Sequence, residues 1–117
     1  MIVGIGVDVA DISRLERALG RTPSLATRLF AESERAGSSV RSLAGCLAAK
    51  EAAVKALGAP RGLRWTDAVL CREAGGKPLL RVQGTLASAA AALGVSASHV
   101  SISHDEELCV AMVVAER

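Results

Sequence analysis

The run Leu47-Ala48-Ala49-Lys50-Glu51-Ala52-Ala53-Val54-Lys55 constrains this chain more than any other, because it predicts a helix of mostly small side chains with three charges set into it. Ser42 is a candidate N-cap, and Gly58 with Pro60 just beyond is a stop signal, so the helix is expected over about 42–57. Half of the 117 residues are hydrophobic, yet Trp65 and Phe30 are the only aromatics. The core must therefore be assembled from Ala, Leu, Val and Ile. A chain of this length is expected to form one domain over residues 1–117, burying about two-thirds of its unfolded surface. So small a core, lined by alanines that permit close contacts, argues for assembly into an oligomer that buries more apolar surface.

Around that helix the pattern mixes strands and helices. Residues 2–9 alternate, with Val3, Ile5, Val7 and Val9 on one face and Ile2, Gly4, Gly6 and Asp8 on the other. Asp11 is placed to cap a helix to about Leu19 with Ile12, Leu15 and Leu19 as its buried stripe, ended by Gly20. A shorter helical piece follows Pro23 to near Phe30, Ser33 starts another turn, and Gly37-Ser38-Ser39 is a loop. Asp67–Arg72 and Leu79–Val82 read as strands joined by the turn Gly75-Gly76-Lys77-Pro78. An alanine-rich helix is expected over 84–93, ended by Gly94, and strands 99–103 and 108–115 form a hairpin across Asp105-Glu106-Glu107. Antiparallel pairs packed with helices define an α+β fold with an antiparallel sheet.

Several classes of function are disfavoured. A net charge of +2 is too small to mark a nucleic-acid binder, and two aromatics offer few platforms for stacking bases. Cys46, Cys71 and Cys109 are odd in number and lack the close spacing of a zinc site, so they read as buried small hydrophobes. No apolar run reaches the length of a membrane span, and the first residues read as a strand rather than a leader, so the chain is expected to be cytoplasmic.

Four features do not fit a bland fold. Asp8 lies in a strand of Ile, Val and Gly, where an unpaired carboxylate would lose several kcal/mol of hydration; it needs a cation, a positive side chain or an exposed strand end. Glu51 shares one helix row with Leu47 and Lys55, an arrangement that taken alone is equally a solvent-facing ion pair. Two acids from distant elements can converge on Mg²⁺, a hard cation that takes a couple of carboxylates plus water and phosphate oxygens, and Lys55 would then meet the phosphates as a point charge. The strand His99-Val100-Ser101-Ile102-Ser103-His104-Asp105 puts His99, Ser101 and Ser103 on one face and His104 at its exit, which serves a phosphate, a base or merely a wet hairpin. Arg14, Arg17 and Arg21 recur at helical spacing, with Arg28 on the next piece: a solvated face or a docking patch for an acidic protein.

In this order the four features resemble one family, the small class of 4′-phosphopantetheinyl transferases that includes the holo-[acyl-carrier-protein] synthases. Ile5-Gly6-Val7-Asp8-Val9 is similar to its opening motif, Ala48-Ala49-Lys50-Glu51-Ala52 with Lys55-Ala56 and Gly58 to its central one, and Gly76-Lys77-Pro78 and His99-Val100-Ser101-Ile102-Ser103-His104 to its later ones. The resemblance covers essentially the whole chain. It implies transfer of the phosphopantetheine arm from coenzyme A to a serine of an apo acyl carrier protein, with Mg²⁺ as cofactor and Asp8 and Glu51 as its ligands. Lys55 and His104 match groups at the coenzyme A phosphates and groove, and Gly58, Lys77 and Pro78 match the lining of the nucleotide pocket. Arg14, Arg21 and Arg28 match positions that hold the acidic carrier protein. The resemblance further implies a homotrimer with active sites between subunits, and it leaves the general base open among a metal-bound water, Glu51, and Asp105 paired with His104.

Two departures stand out. Cys46-Leu47 replaces the usual Arg-Phe pair, and the stretch between Glu34 and Ser42 is short. Two rival readings use the same residues. A metal-dependent hydrolase of nucleotides or pyrophosphates needs no arginine stripe, and would release ADP from coenzyme A without a carrier. A non-catalytic module for acidic proteins would bind a carrier without Mg²⁺-dependent transfer.

Overall fold

A computed structural model describes the chain from Met1 to Arg117. Two antiparallel sheets and five helices make up an α+β architecture. The larger sheet has the order β1 (Ile2–Asp11), β5 (Leu108–Glu116), β4 (Ala97–Asp105); the smaller is the hairpin of β2 (Ala68–Arg72) and β3 (Pro78–Val82). Helices α1 (Ile12–Arg21), α2 (Leu25–Leu29), α3 (Glu32–Arg35), α4 (Val40–Ala56) and α5 (Gly84–Ala92) fill the intervals.

The alternation in β1 decides how the sheet is used. Gly4, Gly6, Asp8 and Ala10 face inward, in register with Ala115, Val113, Ala111 and Cys109 of β5, and α4 lies across this face. A Cβ on Gly4 would fall 1.9 Å from the Ala56 carbonyl oxygen, and one on Gly6 would fall 1.8 Å from that of Ala52. Strand and helix backbones therefore touch, which only glycine on the strand side permits. Asp8 is the next inward position after those glycines, so the contact delivers it to the part of α4 that carries Glu51 and Lys55.

The aliphatic face of β1 points outward instead. Ile5, Val7 and Val9 are 57%, 48% and 55% exposed, and Leu108, Val110 and Met112 of β5 continue the patch. On β4 the same face carries the exposed His99, Ser101 and Ser103. The core under the inner face is built from Ala, Leu, Val and the two buried cysteines, with Phe30, 1% exposed, as its only aromatic.

Several boundaries differ from the sequence-based expectation. Ser39 rather than Ser42 caps α4: its side chain accepts from the Ser42 amide, because Ser39 has the extended backbone that a cap requires. Asp11 caps α1 through the Arg14 amide as expected, but the helix runs through Gly20 to Arg21. Residues Trp65–Asp67 form a 3₁₀ turn, so β2 starts at Ala68. The third short helix begins at Glu32, one residue before Ser33. The β4–β5 hairpin turns on Glu106 and Glu107 alone, with Glu106 in the left-handed region, so His104 and Asp105 are strand residues. Cys46 and Cys109 are buried, whereas Cys71 is half-buried.

Candidate active site

Asp8, Glu51 and Lys55 meet where β1 crosses α4. Lys55 donates from Nζ to Asp8 Oδ1 at 2.8 Å and to the Val7 carbonyl at 3.0 Å. Its long side chain reaches back toward the helix N-terminus, as helical side chains do, and so meets the strand. Asp8 is mostly buried, and its Oδ2 is a buried oxygen with no donor other than the neighbouring Glu51 carboxyl when that group holds a proton.

The Glu51 carboxyl lies beside it. Burial, then the hydrogen bond and charge of Asp8, push the Glu51 carboxyl up to about 7. Burial opposes ionisation of Asp8 as well, but the hydrogen bond with Glu51 and the Lys55 ammonium outweigh it and hold Asp8 below the ordinary carboxylate range. Metal-free, the pair is thus one charge and one proton at mildly acid pH, with Lys55 as the counter-ion.

A hard divalent cation fits this arrangement. Two adjacent carboxylates repel each other once both ionise, and a buried oxygen then lacks a donor, so a cation would satisfy both. No cluster of three or more His, Cys, Asp or Glu residues occurs in the chain, so the acids here are a pair. A pair of carboxylates suits Mg²⁺, which keeps several waters and takes phosphate oxygens from a substrate.

Arg14 and Glu51 line one cavity of about 250 Å³ with Leu15, Leu25 and Leu47, so the α1 arginine face begins beside the acids. Arg14, Arg17, Arg21 and Arg28 are exposed, and none is in an ion pair.

The other sequence-nominated residues lie elsewhere in the chain. His104 packs against the first half of α4, its Nε2 3.2 Å from the Arg41 carbonyl, in a separate polar cavity of about 220 Å³ with Ser38, Ser42 and Arg72. The helix opposite the ring carries Gly45, where a Cβ would approach the His104 ring at 3.3 Å, a tight contact. Asp105 points to the opposite face of β4 and is exposed, so the Asp105–His104 pairing considered as a base is not formed. Lys77 is exposed in the β2–β3 turn, with Pro78 opening β3. Gly58 closes α4 with a left-handed φ of 81°.

Sequence reasoning missed the other charged site on α4. Lys50 and Glu34 are wholly buried and paired at 2.7 Å, although the first stood in the central motif and the second beside the shortened loop. The available signal was a lysine inside an alanine run, off the row shared by Glu51 and Lys55. Cys46, in the pair that departs from the family motif, packs near these two residues; burial, followed by the Glu34 charge, pushes its thiol up to about 11. Leu47, the other member of that pair, is half-buried in the Arg14–Glu51 cavity.

A family model described as the 4′-phosphopantetheinyl transferase superfamily matches residues 4–113. The holo-[acyl-carrier-protein] synthase of Streptomyces coelicolor is 57% identical over 122 aligned residues, covering 98% of each chain. The crystal structure of the Neisseria meningitidis holo-[acyl-carrier-protein] synthase superposes with a TM-score of 0.87 at 31% identity and covers all of both chains. That of the Helicobacter pylori enzyme, solved in complex with coenzyme A, gives 0.84 at 28% identity over 96% of this chain and 99% of that one. This chain belongs to the 4′-phosphopantetheinyl transferase superfamily. No helix is long and apolar enough to cross a membrane.

Proposed function

We propose that the chain, acting as one transferase domain over residues 1–117, moves 4′-phosphopantetheine from coenzyme A to a serine of an apo acyl carrier protein, with Asp8, Glu51 and Lys55 as its catalytic cluster. The observation that carries this reading is the juxtaposition of two acids and a lysine at the strand–helix crossing. The serine oxygen bonds to the β-phosphorus of coenzyme A, and the bond from that phosphorus to the bridging oxygen breaks. The bridging oxygen leaves with 3′,5′-ADP, and the serine proton passes to a base.

Asp8 and Glu51 would hold Mg²⁺. Mg²⁺ when bound offsets the charge of the pyrophosphate and of the leaving phosphate. Asp8 keeps its charge across the working pH range, so it can hold a cation throughout. Glu51 adds its charge as pH rises through about 7. Lys55, 55% exposed at the mouth, places a point charge against phosphate oxygens. Arg14, Arg21 and Arg28 present unpaired guanidinium groups to an acidic carrier, which raises the association rate and sets orientation.

His104, Gly58, Lys77 and Pro78 serve coenzyme A in this reading. His104 lines a separate cavity from Glu51 within one chain, which a homotrimer whose active sites lie between subunits would account for. The exposed aliphatic face of β1 and β5 supports such an assembly, since soluble monomers rarely leave a continuous apolar patch uncovered. Substrate and carrier are cytoplasmic in this reading. A hydrolase needs no arginine face, and that face starts at the wall of the acid site.

The test is mass spectrometry of an apo carrier protein mixed with coenzyme A, with and without Mg²⁺. The expected result is a carrier heavier by one phosphopantetheine only when Mg²⁺ is present, and no product from a folded Asp8→Ala variant. Near-normal product from that variant would refute the assignment.

A further inference from the structure

We propose that Glu34 and Lys50 are a positioning pair: anchored on the far side of α4, they set the rotation of that helix at the level of Glu51 and so hold the Glu51 carboxyl against Asp8. The inference rests on the reading that Asp8 and Glu51 hold Mg²⁺.

Helix α4 needs such a device because its own packing specifies rotation weakly. Its central buried positions are Ala48, Ala49, Ala52, Ala53 and Ala56, so one small-residue face resembles the next and few large side chains interlock. Lys50 is the only charged group among them, and it has no solvent exposure. Its three donors are all taken: Glu34 Oε1 at 2.7 Å, the Trp65 carbonyl at 3.0 Å and the Ala68 carbonyl, with the Phe30 ring centroid at 5.9 Å. Glu34 is fixed in turn, accepting from the Ala31 amide at 2.8 Å and the Leu70 amide at 2.9 Å. Turning α4 would strip a buried charge of its partners, which resists rotation far more than sliding one alanine past another.

Lys50 and Glu51 are consecutive, about 100° apart around the helix axis, so fixing one azimuth fixes the other. A rotation of about 20° would carry a carboxyl roughly 6 Å from the axis through about 2 Å, enough to separate two ligands of one small ion. The pair also ties in a second part of the molecule. Leu70 belongs to β2, whose partner β3 begins at Pro78, so the hairpin bearing Lys77 is fastened to the helix bearing Glu51.

The test is the double variant Glu34→Gln/Lys50→Met, which removes both charges and leaves an amide oxygen for the Ala31 or Leu70 amide. Melting, Mg²⁺ affinity by calorimetry with the metal alone, and kcat and KM for the carrier are measured together. We expect a cooperatively folded protein that binds Mg²⁺ about tenfold more weakly. Its kcat should fall about a hundredfold with KM for the carrier unchanged, since docking uses the α1 arginines. A folded double variant with wild-type Mg²⁺ affinity and kcat would overturn the proposal and leave the pair a matter of stability alone. Should the double variant not fold, Glu34→Asp keeps both charges but shortens the anchor; unaltered Mg²⁺ affinity there overturns the proposal equally. If the wild type and Asp8→Ala bind Mg²⁺ alike, the metal reading itself fails and the proposal with it.

Discussion

Helix α4 carries two lysines five residues apart, and each pairs with an acid from a distant segment: Lys50 with Glu34, Lys55 with Asp8. The distances are nearly equal, at 2.7 and 2.8 Å. The surroundings are opposite. Lys50 and Glu34 have no exposure, and every donor and acceptor on them is used within the chain. Lys55 is more than half exposed, and Asp8 keeps an oxygen with no donor other than the second carboxyl beside it. A closed pair is architecture, because nothing can enter it. The open pair leaves coordination unspent, and an arriving cation and phosphate can use it.

Deleting each lysine in turn sharpens the contrast most. Lys50→Met leaves Glu34 charged and buried, and should cost about 3–5 kcal/mol of stability, read as a large fall in melting temperature. Lys55→Met should lower the melting temperature far less, because the ammonium is exposed, while lowering transferase turnover. Similar losses of stability from both would break the distinction. Gly6→Ala comes next. The added Cβ overlaps the Ala52 carbonyl, so strand and helix must part at a cost of about 1–3 kcal/mol. Activity should fall further than stability, since the separation also moves Asp8 away from Glu51.

The smallest effect is on pH dependence. Glu51 titrates near 7 in the folded chain against an unperturbed 4.5, so its contribution to metal-free stability is present below about 4.5 and is lost as pH rises through about 7. Metal-free melting temperature should therefore decline over that window, and Glu51→Gln should flatten the decline. Calorimetric Mg²⁺ affinity should move the other way, rising between pH 6 and 8 as the proton leaves.

The sequence carried the open site more plainly than the closed one. Asp8 stood out as an acid in an aliphatic strand, and Glu51 and Lys55 as charges one turn apart on an alanine helix. Their meeting is a consequence of Gly4 and Gly6, whose missing side chains admit Ala56 and Ala52; the glycines were visible, but the close approach they serve is a property of the packed pair. Lys50 could not be told from a surface lysine by spacing, because its acid partner lies sixteen residues away and its carbonyl partners are backbone. The outward turn of the aliphatic β1 face was equally hidden, since alternation tells which residues share a face and not which face α4 covers. Ser42 lost the capping role to Ser39 through backbone conformation, a distinction three serines in one short loop do not reveal.

The most direct measurement is the anomalous scattering of Mn²⁺ in crystals grown with coenzyme A, Mn²⁺ standing in for Mg²⁺. The account predicts one ion bound jointly by the Asp8 and Glu51 carboxylates, about 2.1 Å from an oxygen of each, and in contact with the coenzyme A pyrophosphate. An ion bound elsewhere, or a pyrophosphate seated away from both acids, would contradict it.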